Sequence, residues 1–528
     1  MGTAVGLDFG TTNSIVSYVK NDGKLKTFKL KNGLSLIPSV IYFKSNDDYV
    51  IGHEALLLGK KNPAAKISGF KLKLNEDNLP YVITLEDGTT LRKQPKAVVK
   101  LFLNKLMTSV QDYLIKKFGT EDGVIDRAVI TVPAKFKNTA ITAIKTAAAS
   151  AMNLKLNQVK LVYEPTAAAV AALTDDDSNA RKLLIYDFGG GTFDVSLIQK
   201  QNGVFKQIDT GGDANLGGDL LTSMLAKELL NWANDEYGTK FPFDELDFDE
   251  DYHGMKKNFY LVNLAKITED ATKVKEYLSE NLNATSSFQF YTSDNKNEQY
   301  IVDVSRKDFE NLIREKINYT AELTRRIIDG EKSREIGGID KIILAGGSSQ
   351  IPLIREVLQK KLGRDDISYS DDVSNLISKG AAILAQNIEA LETVTEQKTT
   401  VQLGIVTTSG MQLGVFHTII DEGQPLPCEG FYDFNLLEDN LHSLKITYYE
   451  RDIKNFPAAN KIGDDGLNYV DDIILELPPN LPKSDTKIRV KFVVNEDSGL
   501  DFSAKVLRGD GSIVVENQIK INKASELI

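Results

Sequence analysis

Leu183-Leu184-Ile185-Tyr186-Asp187-Phe188-Gly189-Gly190-Gly191-Thr192-Phe193-Asp194-Val195-Ser196 is the stretch on which the reading of this chain turns. An apolar run ends in an acid, glycines follow, and apolar residues resume at alternate positions, which predicts strand, tight turn, strand. Three consecutive glycines remove every Cβ from the turn, so backbone N–H groups can close directly on a polyanion. Thr192 adds a hydroxyl donor. Asp187 and Asp194 flank the turn with hard carboxylate oxygens suited to Mg²⁺ held through its water shell. By itself the stretch fits an ordinary Asp-Gly hairpin equally well.

The same device occurs near the start, in Val5-Gly6-Leu7-Asp8-Phe9-Gly10-Thr11-Thr12-Asn13-Ser14-Ile15-Val16. Asp187 follows Asp8 by 179 residues, about one domain's worth of chain. Two such hairpins at that separation predict a duplicated α/β unit with a nucleotide's phosphates between the halves. The glycine pattern has no Gly-Lys-Ser/Thr and does not open a helix after the turn, so it is neither a P-loop nor a Rossmann fingerprint.

Size and composition narrow the class. The 528 residues allow two or three domains, and 42% hydrophobic with 26% charged residues is ordinary for a globular protein. A net charge of −11 argues against nucleic acid or an anionic membrane as main partner. Cys428 is the single cysteine, which excludes an internal disulfide and a thiolate metal cluster and fits a reducing compartment. Nothing reads as a signal peptide or a bilayer-crossing run, so a cytoplasmic location is expected.

Helical and strand patterns alternate along the first three-quarters of the chain. Residues 36–43 read as a strand, 95–117 as a helix behind Pro95, 126–133 as a buried strand stopped by proline, 139–152 as an alanine-rich helix and 159–163 as a strand. Glu164-Pro165-Thr166 starts another helix. After the second hairpin, residues 211–219 turn into a helix reaching Trp232, an acidic stretch at 243–252 reads as an exposed loop, and helices are expected near 256–280 and 307–329. Residues 341–345 then deliver Gly346-Gly347-Ser348-Ser349-Gln350 to a further helix start, a place that favours an anion or a polar edge. This alternation predicts an α/β domain over residues 1–391. Residues 392–400 are polar and lack periodicity, as a linker does. Residues 401–528 alternate strictly, as in Lys487-Ile488-Arg489-Val490-Lys491-Phe492-Val493, and predict an antiparallel β-sandwich.

Five stretches, in this order and ahead of a β-domain, resemble the heat-shock protein 70 (DnaK-type) chaperone family over essentially the whole chain. They are Leu7-Asp8-Phe9-Gly10-Thr11-Thr12-Asn13-Ser14, Val129-Ile130-Thr131-Val132-Pro133-Ala134, Glu164-Pro165-Thr166-Ala167-Ala168-Ala169, Asp187-Phe188-Gly189-Gly190-Gly191-Thr192-Phe193-Asp194 and Leu216-Gly217-Gly218-Asp219. The resemblance implies an actin-like (duplicated ribonuclease H-like) ATPase domain joined to a β-sandwich that grips extended hydrophobic segments of unfolded or client polypeptides. Weak Mg-dependent ATP hydrolysis would control binding and release.

Residue by residue, the resemblance implies that Gly10, Thr11, Thr12, Asn13, Gly189, Gly190, Gly191 and Thr192 cradle the phosphates of ATP or ADP. Asp8 and Asp187 would hold hydrated Mg²⁺, with K⁺ a further candidate ion. Lys71 would touch the γ-phosphate, while Glu164 and Asp194 orient the attacking water. Gly217, Gly218, Lys275, Ser279, Gly346, Gly347, Ser348 and Gln350 would complete the nucleotide site. Pro133 resembles the family's relay proline. Leu436, Leu444 and Ile446 fall where similar proteins line the peptide pocket, and alternation alone makes them equally good sandwich-core residues. A J-domain co-chaperone and a nucleotide-exchange factor are the implied partners.

The chain also departs from that family. Thr272 stands in place of a ribose-binding glutamate, Gln350 in place of an arginine that stacks on adenine, and Ser374 in place of an acid, so weaker binding or faster exchange of nucleotide is expected. The family's aliphatic linker is replaced by Thr393-Val394-Thr395-Glu396-Gln397, in which Val394 alone offers comparable burial. Coupling between domains is therefore expected to be weak or to use other surfaces. Lys135, Lys137 and Gln397 alter the J-domain docking surface. The chain stops at Ile528 without a helical lid or acidic tail, and fast peptide release is expected. The alternative reading is a nucleotide-binding regulatory or scaffold partner with little turnover and a dedicated client. A small-molecule kinase or an actin-like filament on the same ATPase fold leaves the C-terminal β-domain without a place.

Overall fold

The computed structural model describes residues 2–520, apart from 21–22, 31, 75–78, 134–135, 137, 175–179, 240, 242–255, 292–295, 370–373, 389–394, 397, 400, 410–411, 437, 452, 454–455 and 496–499. The expected acidic loop, most of the linker, and Lys135 and Lys137 lie outside the described residues.

Each glycine hairpin forms the centre of its own six-stranded sheet. In the first sheet, Thr3–Phe9 pairs antiparallel with Asn13–Val19 and parallel with Ile125–Val132, which continues in parallel to Val159–Tyr163. In the second, Lys182–Phe188 pairs antiparallel with Phe193–Gln201 and parallel with Lys341–Ala345. Strands buried on both faces need continuous apolar runs, and Leu183, Leu184, Ile185 and Tyr186 are fully buried.

Two helices rich in small residues, Glu164–Thr174 and Leu376–Gln386, share a core cluster with side chains from both sheets. Their backbones approach so closely that a Cβ on Gly380 would overlap the Ala167 backbone. Larger cores lie to either side, one built on the first sheet and the helix Pro95–Asp122, the other on the second sheet and the helices Gly218–Tyr237 and Arg306–Ile328. The helix expected over 95–117 runs on to Asp122, through a break at Gly119 where φ is +84°.

The C-terminal part consists of two four-stranded antiparallel sheets around a common core that includes Leu403, Ile446, Ile473, Val490 and Phe502. Leu436 and Ile446 are 5% and 4% exposed within that core, and Leu444 packs against it.

Part of the polar linker is a strand. Thr395–Glu396 is the sixth strand of the second sheet, running parallel to Val204–Asp213 with Phe205 opposite Thr395 and Lys206 opposite Glu396. Two residues on, the Lys398 carbonyl accepts a hydrogen bond from the Tyr163 hydroxyl at 3.2 Å. Main-chain pairing of this kind is indifferent to side-chain polarity, so it holds this part of the linker without relying on aliphatic side chains. The strand Leu500–Arg508 also contacts the helix Asn138–Met152, bringing sandwich and first sheet together.

Candidate functional site

The two hairpin turns face one another. A Cβ on Gly190 would fall inside the Thr12 side chain, and one on Gly191 would lie 2.8 Å from Thr11 Oγ1. Each turn is fixed from behind. Gly189 N–H donates to the Thr192 carbonyl at 3.0 Å, while Ser39 donates from its hydroxyl to the Gly10 carbonyl at 2.7 Å and from its N–H to the Thr12 carbonyl at 2.8 Å. The first N–H groups of the helix Gly218–Tyr237 go to the carbonyls of Gly189 and Gly190, at 3.0 and 2.7 Å. Gly217 and Gly218 thus prop the turn from the next layer rather than lining the cleft, and the Gly189 N–H is already occupied.

Between the turns opens a cleft of about 380 Å³. Asp8, Gly10, Thr11, Thr12, Asn13, Lys71, Glu164, Asp187, Gly189, Gly190, Gly191, Thr192, Lys275, Ser279, Gly346, Gly347, Ser348 and Gln350, all singled out from sequence, line it together, as does Pro133. Asp194 does not reach the lining. It is buried directly across the hairpin from Asp187.

The acids are crowded. Lys71 Nζ lies 2.7 Å from Glu164 Oε1, with side chains 1% and 9% exposed. Asp8 is pushed up to about 7 by its enclosure in protein and by the Glu164 charge, against the opposing pull of Lys71 and a hydrogen bond from Thr131. Burial, then Glu164, Asp194 and Asp8, raise Asp187 well above the carboxylate range. Like charges directly opposite in a hairpin are destabilising, so this cluster calls for a cation. Among the described residues no three acidic, histidine or cysteine side chains converge as a metal cage, and Mg²⁺ characteristically keeps several waters and shares phosphate ligands. The donor set fits a hydrated Mg²⁺ brought in with phosphates.

Residues 4–527 match the family described as Hsp70 protein. The chain belongs to the Hsp70 family. Membership sets it among ATP-binding chaperones, and members of the family bind ATP or ADP with Mg²⁺. It is similar to proteins named Chaperone protein DnaK from Thermotoga neapolitana and Thermotoga petrophila, each 27% identical over 531 residues, covering 98% of this chain and 81% of the relative. No helix among the described residues is long and apolar enough to cross a membrane.

Sequence reasoning missed two features of this Hsp70 site. Asp219, at the start of the helix Gly218–Tyr237, accepts a hydrogen bond from Thr12 Oγ1 at 3.0 Å and donates its N–H to the Gly190 carbonyl, linking the two turns. Its place directly after Gly217-Gly218 was the available signal. The second lies outside the cleft lining: Lys60–Glu269, an ion pair of 2.7 Å joining the end of the helix Gly52–Gly59 to the helix Lys256–Glu280. Both partners are partly exposed, so the bridge contributes modestly, and Lys60→Ala is expected to speed release of a fluorescent nucleotide about two- to fivefold. A stopped-flow chase reads this directly, and an unchanged off-rate would show that the bridge does not restrain the cleft.

Proposed function

We propose that this Hsp70 chain is an ATP-dependent chaperone that binds extended hydrophobic segments of client polypeptides, with ATP hydrolysis governing their binding and release. The observation that carries the reading is the pair of glycine turns, Gly190 against Thr12 and Gly191 against Thr11, closing on a cleft that holds Lys71 and Glu164. In this reading residues 1–391 are an actin-like ATPase with a duplicated layout, 392–400 the linker and 401–528 the client-binding β-sandwich. Mg²⁺, when bound, supplies neutralisation of phosphate charge next to Asp8 and Asp187. Thr11, Thr12 and the Gly189–Thr192 turn position the phosphates, Lys71 offsets charge at the terminal phosphate, Glu164 orients the attacking water from the cleft, and Asp194 contributes from behind Asp187. J-domain and nucleotide-exchange partners, and a cytoplasmic setting, belong to the same reading.

The alternative, a regulatory or scaffold partner with little turnover, is favoured by one feature. Thr12 and Lys71, which would hold phosphate, are engaged with Asp219 and Glu164. Fluorescence anisotropy of a labelled leucine-rich peptide separates the readings. A chaperone cycle predicts peptide affinity weaker by about tenfold or more with ATP than with ADP, and equal affinities in both states would contradict it.

A further inference from the structure

The first turn and Lys71 come from two separate sheets. Gly10, Thr11 and Thr12 follow the strand Thr3–Phe9 of the first six-stranded sheet. Lys71, in the short helix Phe70–Lys73, follows the strand Lys66–Ser68 of a three-stranded sheet centred on Val40–Phe43. Ser39 alone separates the strand Ile37–Pro38, which pairs with Asn13 and Ser14, from Val40–Phe43, where Val40 lies opposite Ser68.

Ser39 is 1% exposed, and its donors are both spent on the turn. Its hydroxyl goes to the Gly10 carbonyl at 2.7 Å and its N–H to the Thr12 carbonyl at 2.8 Å. With that one hydroxyl hydrogen committed, Ser39 Oγ accepts from Ser14 Oγ, 2.9 Å away. A planar trans peptide points its C=O and N–H in opposite directions, so holding the Gly10 carbonyl turns the Thr11 N–H away from Ser39. The Lys71 ammonium is fixed separately, on Glu164. A second link between the two sheets, Phe9 against Phe70 with ring centroids 6.3 Å apart, is apolar and gives the peptide units no direction. We infer that Ser39 is a positioning residue for ATP hydrolysis, one that holds the first phosphate turn at the spacing from Lys71 that the reaction needs. The inference deepens the nucleotide reading above and rests on it. ADP lacks the terminal phosphate that Lys71 would meet, so its affinity is indifferent to that spacing. The reaction is not, since a misplacement of about 1 Å can cost on the order of a hundredfold.

Single-turnover ATP hydrolysis and isothermal titration with Mg-ADP, on the full chain and on Ser39→Ala and Ser17→Ala, test it. Ser17 is equally buried in the strand Asn13–Val19 but bonds Thr27 and Ser378, at 3.1 and 2.8 Å, rather than the turn. It therefore reports what losing a buried hydroxyl does by itself. Ser39→Ala keeps the N–H bond to Thr12 and is expected to lower hydrolysis about tenfold, with ADP affinity within about threefold of the parent. Ser17→Ala is expected to stay within about twofold in both. Hydrolysis unmoved by Ser39→Ala, a fall matched by ADP affinity, or an equal fall in Ser17→Ala overturns the inference and leaves the nucleotide reading standing. If Ser39→Ala does not fold, Ser39→Cys, with similar reach and a much weaker donor, takes its place in the comparison. A parent chain that does not hydrolyse ATP overturns the ATPase reading itself, and the inference with it.

Discussion

Lys71→Ala lowers single-turnover ATP hydrolysis by on the order of a hundredfold or more and destabilises the fold at the same time. The second effect follows from burial. The Lys71–Glu164 pair is 2.7 Å apart with both side chains almost fully enclosed, and truncating one partner of such a pair leaves a buried charge uncompensated, which costs about 3–5 kcal/mol. Asp8 and Asp187 lose an opposing charge as well. The two effects separate in the double variant. Lys71→Ala with Glu164→Gln removes the orphaned charge, so most of the lost melting temperature returns while hydrolysis stays low. Recovery of hydrolysis along with stability would mean that Lys71 serves the fold alone.

The nucleotide-free chain loses stability as pH rises from about 4 to about 7, at about 1 kcal/mol per pH unit. Asp8 titrates near 3.8 when unfolded and at about 7 when folded, so across that window the folded state holds the extra proton. Raising the pH removes the proton, stability falls, and the fall levels off above about 7. The buried, raised Asp187 acts in the same direction. A divalent cation delivered with nucleotide favours the ionised carboxylates, so the melting-temperature gain from Mg-ADP is expected to be larger at pH 8 than at pH 6. Below about pH 7 the apparent Mg²⁺ affinity should drop by up to about tenfold per unit as protons compete. Thermal melts at both pH values, with and without Mg-ADP, measure this. An Asp8→Asn variant with the same pH profile as the parent would assign the dependence elsewhere.

The hairpins were legible because their chemistry is local. An acid delivered by an apolar strand into glycines and threonines is readable one residue at a time, and the structure brings both stretches to one cleft. Lys71 and Glu164 stand 93 positions apart and were placed by family resemblance, since no periodicity pairs them. The linker strand was illegible for a plain reason. Thr395 and Glu396 are held through main-chain pairing with Val204–Asp213, which leaves no side-chain signature. Hydrogen bonds such as Thr12–Asp219 and Tyr163–Lys398 span 207 and 235 positions and depend on how the sheets come together. In the sandwich, alternation marks one face of a strand as apolar without saying what covers it. Leu436 and Ile446, buried in the common core, are where that ambiguity mattered.

Single-turnover ATP hydrolysis by the full chain, with and without excess extended leucine-rich peptide, tests the central claim most directly. Hydrolysis that accelerates with peptide, and is lost in Lys71→Ala, is the predicted result, because the linker strand pairs with the second sheet and the Tyr163–Lys398 bond ties the linker to the residue immediately before Glu164. Slow hydrolysis indifferent to peptide would contradict the account and give the regulatory-partner reading the lead.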